Sequence, residues 1–255
     1  MYSYEMHCHT CISSRCGRFT PEEIVKVYHT QGYTGLVVTD HFFNGNCAVD
    51  DTLPWPERVE AYCRAYELVK QEGDKVGLDV FFGFEYSATN ATFCGGKIPP
   101  ADPRNTIAGT DFIVLGLGKD WLLSKTEDIL NLPVNEFMKM ARNEGGFVIQ
   151  AHPYRLARSY MDHISLFPEF TDAVEVLNST PNTMGRPNKL AKAYAKQYNF
   201  YGTAGSDAHG NDREYFAVLK TKDRAKTIQD LIRSIKDGTI KLSLKKNKYF
   251  EGRNK

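Results

Sequence analysis

Five histidines and two acids stand where short apolar runs end: His7, His9, His41, Glu85, His152, Asp207 and His209. Neutral imidazoles and carboxylates are the ligands that borderline divalent ions take, namely zinc, manganese or iron. In a strand, residues i and i+2 point to one side. His7 and His9 can therefore face one ion, and so can Asp207 and His209. A lone histidine at a strand end is more often a satisfied polar group than a ligand. Seven such groups on five runs, twice at two-residue spacing, point instead to a multinuclear metal site. His29 and His163 fall inside helical stretches and read as ordinary surface or core residues.

The elements that must position these groups are visible as short apolar runs alternating with helical ones, the pattern of β/α units. Strands are expected at 3–7, 35–39, 80–85, 112–117, 147–151, 173–177 and 201–204, with an edge strand at 239–244. Thr20-Pro21-Glu22-Glu23 supplies an N-cap, a proline at the first helical position and early acids. It opens a helix to about Gln31. Further helices are expected at 56–72, 134–144, 187–197 and 227–236, with Gly32, Gly73 and Gly145 as C-terminal caps. The stretch 86–110 reads as a long loop, able to act as a lid, in which Tyr86, Phe93 and Arg104 would select the substrate. The fold expectation is α/β: a distorted β/α barrel of about seven strands. Its metal site lies at the carboxyl ends of the strands, and an open doubly wound sheet is the alternative.

Composition sets the bounds. The chain has 255 residues, 32 Lys+Arg against 31 Asp+Glu, 42% hydrophobic and 12% aromatic residues. This excludes intrinsic disorder and lets one domain over 1–255 fold without a disulfide or zinc staple. No apolar run approaches the ~18 residues of a membrane span. The opening MYSYEMHCHT is not a secretory signal, and the six cysteines read as thiols, so a cytoplasmic protein is expected. The spacing of Cys8, Cys11 and Cys16 lacks the second half of a zinc motif, and Cys8 should turn away from His7 and His9. From Lys220 onward 12 Lys+Arg face 4 Asp+Glu. A basic extension at about 241–255 follows, either a solvated surface or a contact for phosphate.

In their order, Met6-His7-Cys8-His9-Thr10, Val38-Thr39-Asp40-His41, Gly83-Phe84-Glu85, Ala151-His152-Pro153 and Gly205-Ser206-Asp207-Ala208-His209 resemble the polymerase and histidinol phosphatase (PHP) domains. The likeness spans residues 5–210. It implies a barrel of about seven strands, two or three divalent metal ions and hydrolysis of phosphate esters. Carried over by position, His7, His9, Glu85 and Asp207 would hold one ion. Glu85 would bridge to a second, shared with His152, and His41 and His209 would belong to a third. The chain departs from the family pattern in several places. Glu5 stands where an Asp is usual. Phe42 follows His41 where an Asp is common. Ile113 stands where many members have a histidine for the second ion. Cys16 is the nearest candidate for the remaining ligand of the third.

The chemistry so implied is in-line attack on phosphorus by hydroxide generated between paired ions. Asp207 or His209 would transfer a proton to or from the reacting groups. Arg155, three residues after His152, can fork onto a substrate phosphate. Arg18, Arg158 and Arg186 are further candidates, and Asn178 would line the pocket. No P-loop, Rossmann or serine-hydrolase motif is present. The simplest substrate is a small phosphomonoester of the histidinol-phosphatase type. A nuclease or nucleotide phosphodiesterase, holding nucleic acid with Lys245, Lys246, Lys248, Tyr249 and Phe250, is the alternative. An amidohydrolase barrel and an inactive metal-binding domain are more distant readings. Oligomeric state is not encoded in any motif.

Overall fold

In the computed structural model, residues 1–89, 106–155 and 164–250 are described. The elements run β1 (Tyr2–Cys8), α1 (Pro21–Thr30), β2 (Gly35–Val38), α2 (Trp55–Val76), β3 (Asp79–Thr89) and β4 (Thr106–Leu115). Next come α3 (Lys119–Leu123), α4 (Val134–Asn143), β5 (Phe147–Ala151), β6 (Ala173–Asn178), α5 (Arg186–Gln197) and β7 (Tyr201–Gly205). Last are β8 (Tyr215–Thr221), α6 (Ile228–Lys236) and β9 (Ile240–Lys246). Helix α1 starts as its sequence predicts. The Thr20 side chain accepts from the Glu23 N–H and Glu23 accepts from the Thr20 N–H, a capping box. Helix α2 does not stop at Gly73. That glycine lies inside the helix, packed on Val80 and Leu78, and Gly77 at φ +73° ends it.

The strands form one mixed sheet in the order β7-β6-β5-β4-β3-β2-β1-β8-β9. Strands β1 to β3 are mutually parallel, as are β5 to β7. The sheet curls almost shut. Beyond the end of β7, the His9 N–H donates to the Ala208 carbonyl, and Cys8 bridges to Ala208 in parallel register. The architecture is thus a nearly closed, barrel-like α/β sheet, but with nine strands where the sequence predicts about seven. The seven expected strands are β1 to β7, and the two beyond them are β8, absent from the sequence reading, and β9, its edge strand; two reversals depart from β/α alternation. Strand β4 runs antiparallel to both β3 and β5. Strand β8 returns antiparallel to β1 with no crossover helix before it. A reading built on β/α alternation has no place for either. The predicted edge strand exists as β9, paired with β8.

Inside the curl, Tyr4, Met6, Val37, Phe81, Ile113, Leu115, Ile149, Ala173 and Leu219 share one buried cluster with Leu231, Ile232 and Ile235 of α6. The interior is therefore a packed core, not a pore. Helices α2, α3 and α4 cover the outer face of β3 and β4 through Tyr62, Phe84, Phe112, Leu122 and Phe137. Tyr86, expected in a lid, is fully buried in that layer, stacked on Phe137. Phe42 joins it against Phe84, a core aromatic where the family pattern has an acid. Phe93, Arg104, Arg158 and His163 lie outside the described residues, as does the end of the basic extension from 251. His29 is exposed on α1. No described helix is long and apolar enough to cross a membrane.

Candidate metal centre

The parallel strands deliver their side chains to one end of the curled sheet. His7 and Glu85 are set by β1 and β3, and His9, His41, His152, Asp207 and His209 follow directly on β1, β2, β5 and β7. The structure brings all seven together. His7 Nε2 lies 3.1 Å from Glu85 Oε1 and 3.6 Å from Asp207 Oδ1. His9 Nε2 lies 3.5 Å from Glu85 Oε2 and 3.2 Å from Asp207 Oδ1. These separations bracket the ~3.3 Å edge of a tetrahedron with metal–nitrogen bonds of about 2.0–2.1 Å. His152 Nε2 is 3.2 Å from Glu85 Oε1, and His41 Nδ1 is 2.8 Å from Glu85 Oε2. His209 stacks on His9 at 4.3 Å between ring centroids. Glu85 stands in the middle.

Whether these residues suit divalent ions can be tested on the polar atoms themselves. His7 Nε2, His9 Nε2, His41 Nδ1 and Glu85 Oε2 are buried without a hydrogen-bond partner among the described residues. Buried polar atoms are normally satisfied, so orphans converging on one spot are the signature of a missing partner. The outer hydrogen bonds fix which nitrogen faces inward. His7 Nδ1 donates to Glu175 Oε1 at 3.1 Å. His9 Nδ1 lies 3.3 Å from Ser14 Oγ, which itself donates to Asp40 Oδ1 at 2.7 Å. In the neutral rings both Nε2 lone pairs are thereby directed at the cluster, as ligating histidines require. The donor set fits.

The electrostatics agree. Burial pushes the Glu85 carboxyl up, but His7 and His41 outweigh it and hold it well below the usual carboxylate range. Asp207 behaves likewise, with Arg155 and His7 overcoming burial. His7 is held protonated against burial by Glu85, Glu175 and Asp207. A proton thus balances the carboxylate charge where a cation would, and ion binding would release it. Burial together with His209 and His41 keeps His9 neutral. Two of the three non-glycine residues with positive φ among those described are His152 (+27°) and Asp207 (+50°). Such strain concentrates at functional sites. Arg213 holds the Asp207 turn by donating to the Ser206 and Asp207 carbonyls.

Other expected residues take varied places. Cys16 sits at the open side, its Sγ 3.2 Å from His41 Nε2 and also in contact with His209. Arg155 reaches the rim, bonded to Asp207 and 3.6 Å from Asp111. Cys8 turns away from the site, its thiol donating to the Val37 carbonyl. Glu5 lies behind the site and accepts from the His7 and Ser206 N–H groups and from Tyr28. Asn178 does not line a pocket. It is fully buried and donates to Glu175. Arg18 is exposed and paired with Asp212, and Arg186 is exposed at the start of α5. Arg18 lines a cavity of about 660 Å³ with Lys26, Asn211 and Tyr249, next to the His209 loop.

Three functional candidates escape the sequence reading. Asp111 groups with Glu85 and His152, their donor atoms within 4.8 Å of one another. Ile113, the expected site of that ligand, is in the barrel core. Because β4 is reversed, its amino-terminal part approaches the site, and Asp111 pairs with Ala151 beside His152. Glu175 and Arg213 are the others. An acid in the apolar run Ala173-Val174-Glu175-Val176 was the signal for Glu175.

Residues 185–240 match the family model described as PHP-associated. No curated protein matches the chain. Solved structures share the fold at low identity. A two-domain protein of Bacteroides vulgatus containing a predicted PHP-like metal-dependent phosphoesterase is 15% identical with a TM-score of 0.63; the match covers 95% of this chain and 64% of that one. A proposed metal-dependent phosphoesterase of Bifidobacterium adolescentis is 14% identical over 81% of this chain and 87% of its own, with a TM-score of 0.51. An amidohydrolase of Chromobacterium violaceum, with bound sulfate and no metal, is 13% identical over 96% and 98%, at 0.51.

Proposed function

We propose, taking membership of the PHP family as the premise, that the chain hydrolyses phosphate esters with the help of divalent ions held at this centre. The simplest substrate is a small phosphomonoester. The observation that carries the reading is the buried set of unpartnered imidazole and carboxylate atoms converging on Glu85. His7, His9, Glu85 and Asp207 would hold one ion, Glu85 and His152 a second, and His41 and His209 a third. Bound divalent ions supply Lewis acidity and lower the pKa of a coordinated water toward ~7.

The chain's own groups divide the remaining work. Arg155 is held at the rim by Asp207 and Asp111, with its guanidinium fork beside the centre. It binds and orients the phosphate through paired N–H donors. Asp207 is kept ionised, so it serves as an anionic acceptor and not as a proton donor. His209, partly exposed at the rim, can exchange a proton with a leaving oxygen only while the third ion is absent. Holding an ion and moving that proton exclude each other on one imidazole. The buried walls behind Glu85 and Glu175 keep bulk water off the carboxylates. An amide substrate is less well served, because a phosphate matches the Arg155 fork and a neutral amide does not.

The nuclease reading is favoured by one observation. Arg18, Lys26 and Tyr249 line the cavity beside the His209 loop, where a second nucleotide would find cations and a stacking surface. A panel of phosphomonoesters, cyclic phosphates and short oligonucleotides, each with zinc, manganese and iron, separates the two. Turnover of monoesters is expected, falling to background in His7→Ala and Asp207→Ala. Turnover of oligonucleotides alone would favour the second reading. Full activity in either variant would place the chemistry elsewhere.

A further inference from the structure

The donors at the two ends of the cluster differ in kind. At the open end, Cys16 Sγ lies 3.2 Å from His41 Nε2 and contacts His209. His9, His41 and His209 form one group of nitrogens within 4.8 Å of one another. His9 is fully buried, and its Nε2 is without a hydrogen-bond partner among the described residues. This end is the richer in nitrogen and sulfur; its carboxylates, Glu85 and Asp207, are both shared with His7 in the middle of the cluster. At the other end, Asp111 joins Glu85 and His152 in a second group of the same span. Arg155 lies 3.6 Å from Asp111 and also bonds Asp207, so the acids there already attract a cation. This end offers two carboxylates and one imidazole.

We propose that the centre is divided by donor softness. Cys16 with His41 and His209 selects a zinc-like ion, and Asp111 with Glu85 and His152 selects a harder one such as manganese. Thiolate favours zinc over manganese, whereas carboxylate oxygen suits manganese. Geometry separates the two ends by placing Glu85 between them, its Oε2 toward His41 and its Oε1 toward His152. Asp111 thus takes the position that Ile113 leaves without a ligand, by way of a reversed strand. The inference rests on the metal-centre reading and adds which ion goes where.

The test uses the full chain, stripped of metal and reloaded. Cobalt(II) titration should give a near-ultraviolet thiolate-to-cobalt charge-transfer band. Loading with zinc and manganese together, followed by desalting and elemental analysis, should leave both ions on one chain. Cys16→Ser should abolish the band and lose one equivalent of zinc while keeping manganese. Asp111→Asn should keep the band and lose one equivalent of manganese. Cys16→Asp, which keeps a ligand and guards against a folding defect, should hold the ion count but exchange zinc for manganese. Cobalt uptake without a band, or either loss appearing equally in both variants, overturns the division while leaving the metal centre standing. Failure of the wild-type chain to take up any of the three ions overturns both.

Discussion

Glu175→Gln tests how the protein aims its first histidine. Glu175 is fully buried and accepts three hydrogen bonds: from His7 Nδ1 at 3.1 Å, from the His152 N–H at 2.9 Å and from Asn178 Nδ2 at 2.8 Å. Alanine would strand three buried donors at about 1–3 kcal/mol each, enough to confuse function with unfolding. Glutamine keeps the shape but replaces one acceptor with an NH2 donor. The His152 N–H belongs to the backbone and cannot change, so the conflict is relieved at His7. Its Nδ1 turns acceptor and its Nε2 takes the proton, facing Glu85 Oε1 at 3.1 Å. In wild type the single proton of the neutral, ion-binding ring sits on Nδ1 toward Glu175, whereas in the variant it sits on Nε2, so the tautomer must be reversed before an ion binds. Outer hydrogen bonds of this kind are worth roughly 10–100-fold in metal affinity, or about 1.4–2.7 kcal/mol. Chelator competition on the stripped protein measures it directly. The expected result is a 10–100-fold weaker Kd, with hydrolysis recovering as metal is raised. An unchanged Kd in a folded Glu175→Gln protein would refute the claim that Glu175 sets the His7 tautomer.

Gly205→Ala places a Cβ inside van der Waals contact of Glu175 Oε1 and the His7 Cβ. Urea unfolding should show a loss of about 3 kcal/mol or more, and a loss within 0.5 kcal/mol would contradict the packing described. For Cys16, burial raises the thiol pKa, but hydrogen bonds with His209 and His41 outweigh it and bring it down to about 6. The thiolate is therefore present above that pH and lost below it. Alkylation of metal-stripped protein should rise with a midpoint near pH 6 that Cys16→Ser removes; a rise only above pH 8 would contradict this. Arg155→Lys loses the planar fork. Its KM for a phosphomonoester should increase about tenfold with metal content unchanged, whereas an unchanged KM would remove Arg155 from substrate binding.

Much of the site could be read because its ligands follow parallel strands whose apolar runs are plain. The runs ending at His7, His41 and His152 declare both the strand and the direction in which its end points. The α1 capping box was equally legible, because Thr20 and Glu23 interact within one turn of helix. Asp111 was not, since its relevance depends on the direction of β4, and an apolar run reads the same in either direction. Strand β8 was missed for a related reason: its place beside β1 is a long-range pairing with no helix to announce it. Glu175 and Arg213 act through partners distant in sequence, His7 and the Ser206–Asp207 carbonyls. Local spacing carries no trace of such contacts. Gly73 misled because a glycine that allows close packing on Val80 looks the same in sequence as one that caps a helix.

Elemental analysis of the chain purified without chelator, beside a His7→Ala, Asp207→Ala double variant, addresses the central claim most directly. The expected result is at least ~1 tightly held divalent ion per wild-type chain and loss of the innermost ion in the variant. A folded wild-type chain that remains free of zinc, manganese and iron, even after incubation with each, would contradict it.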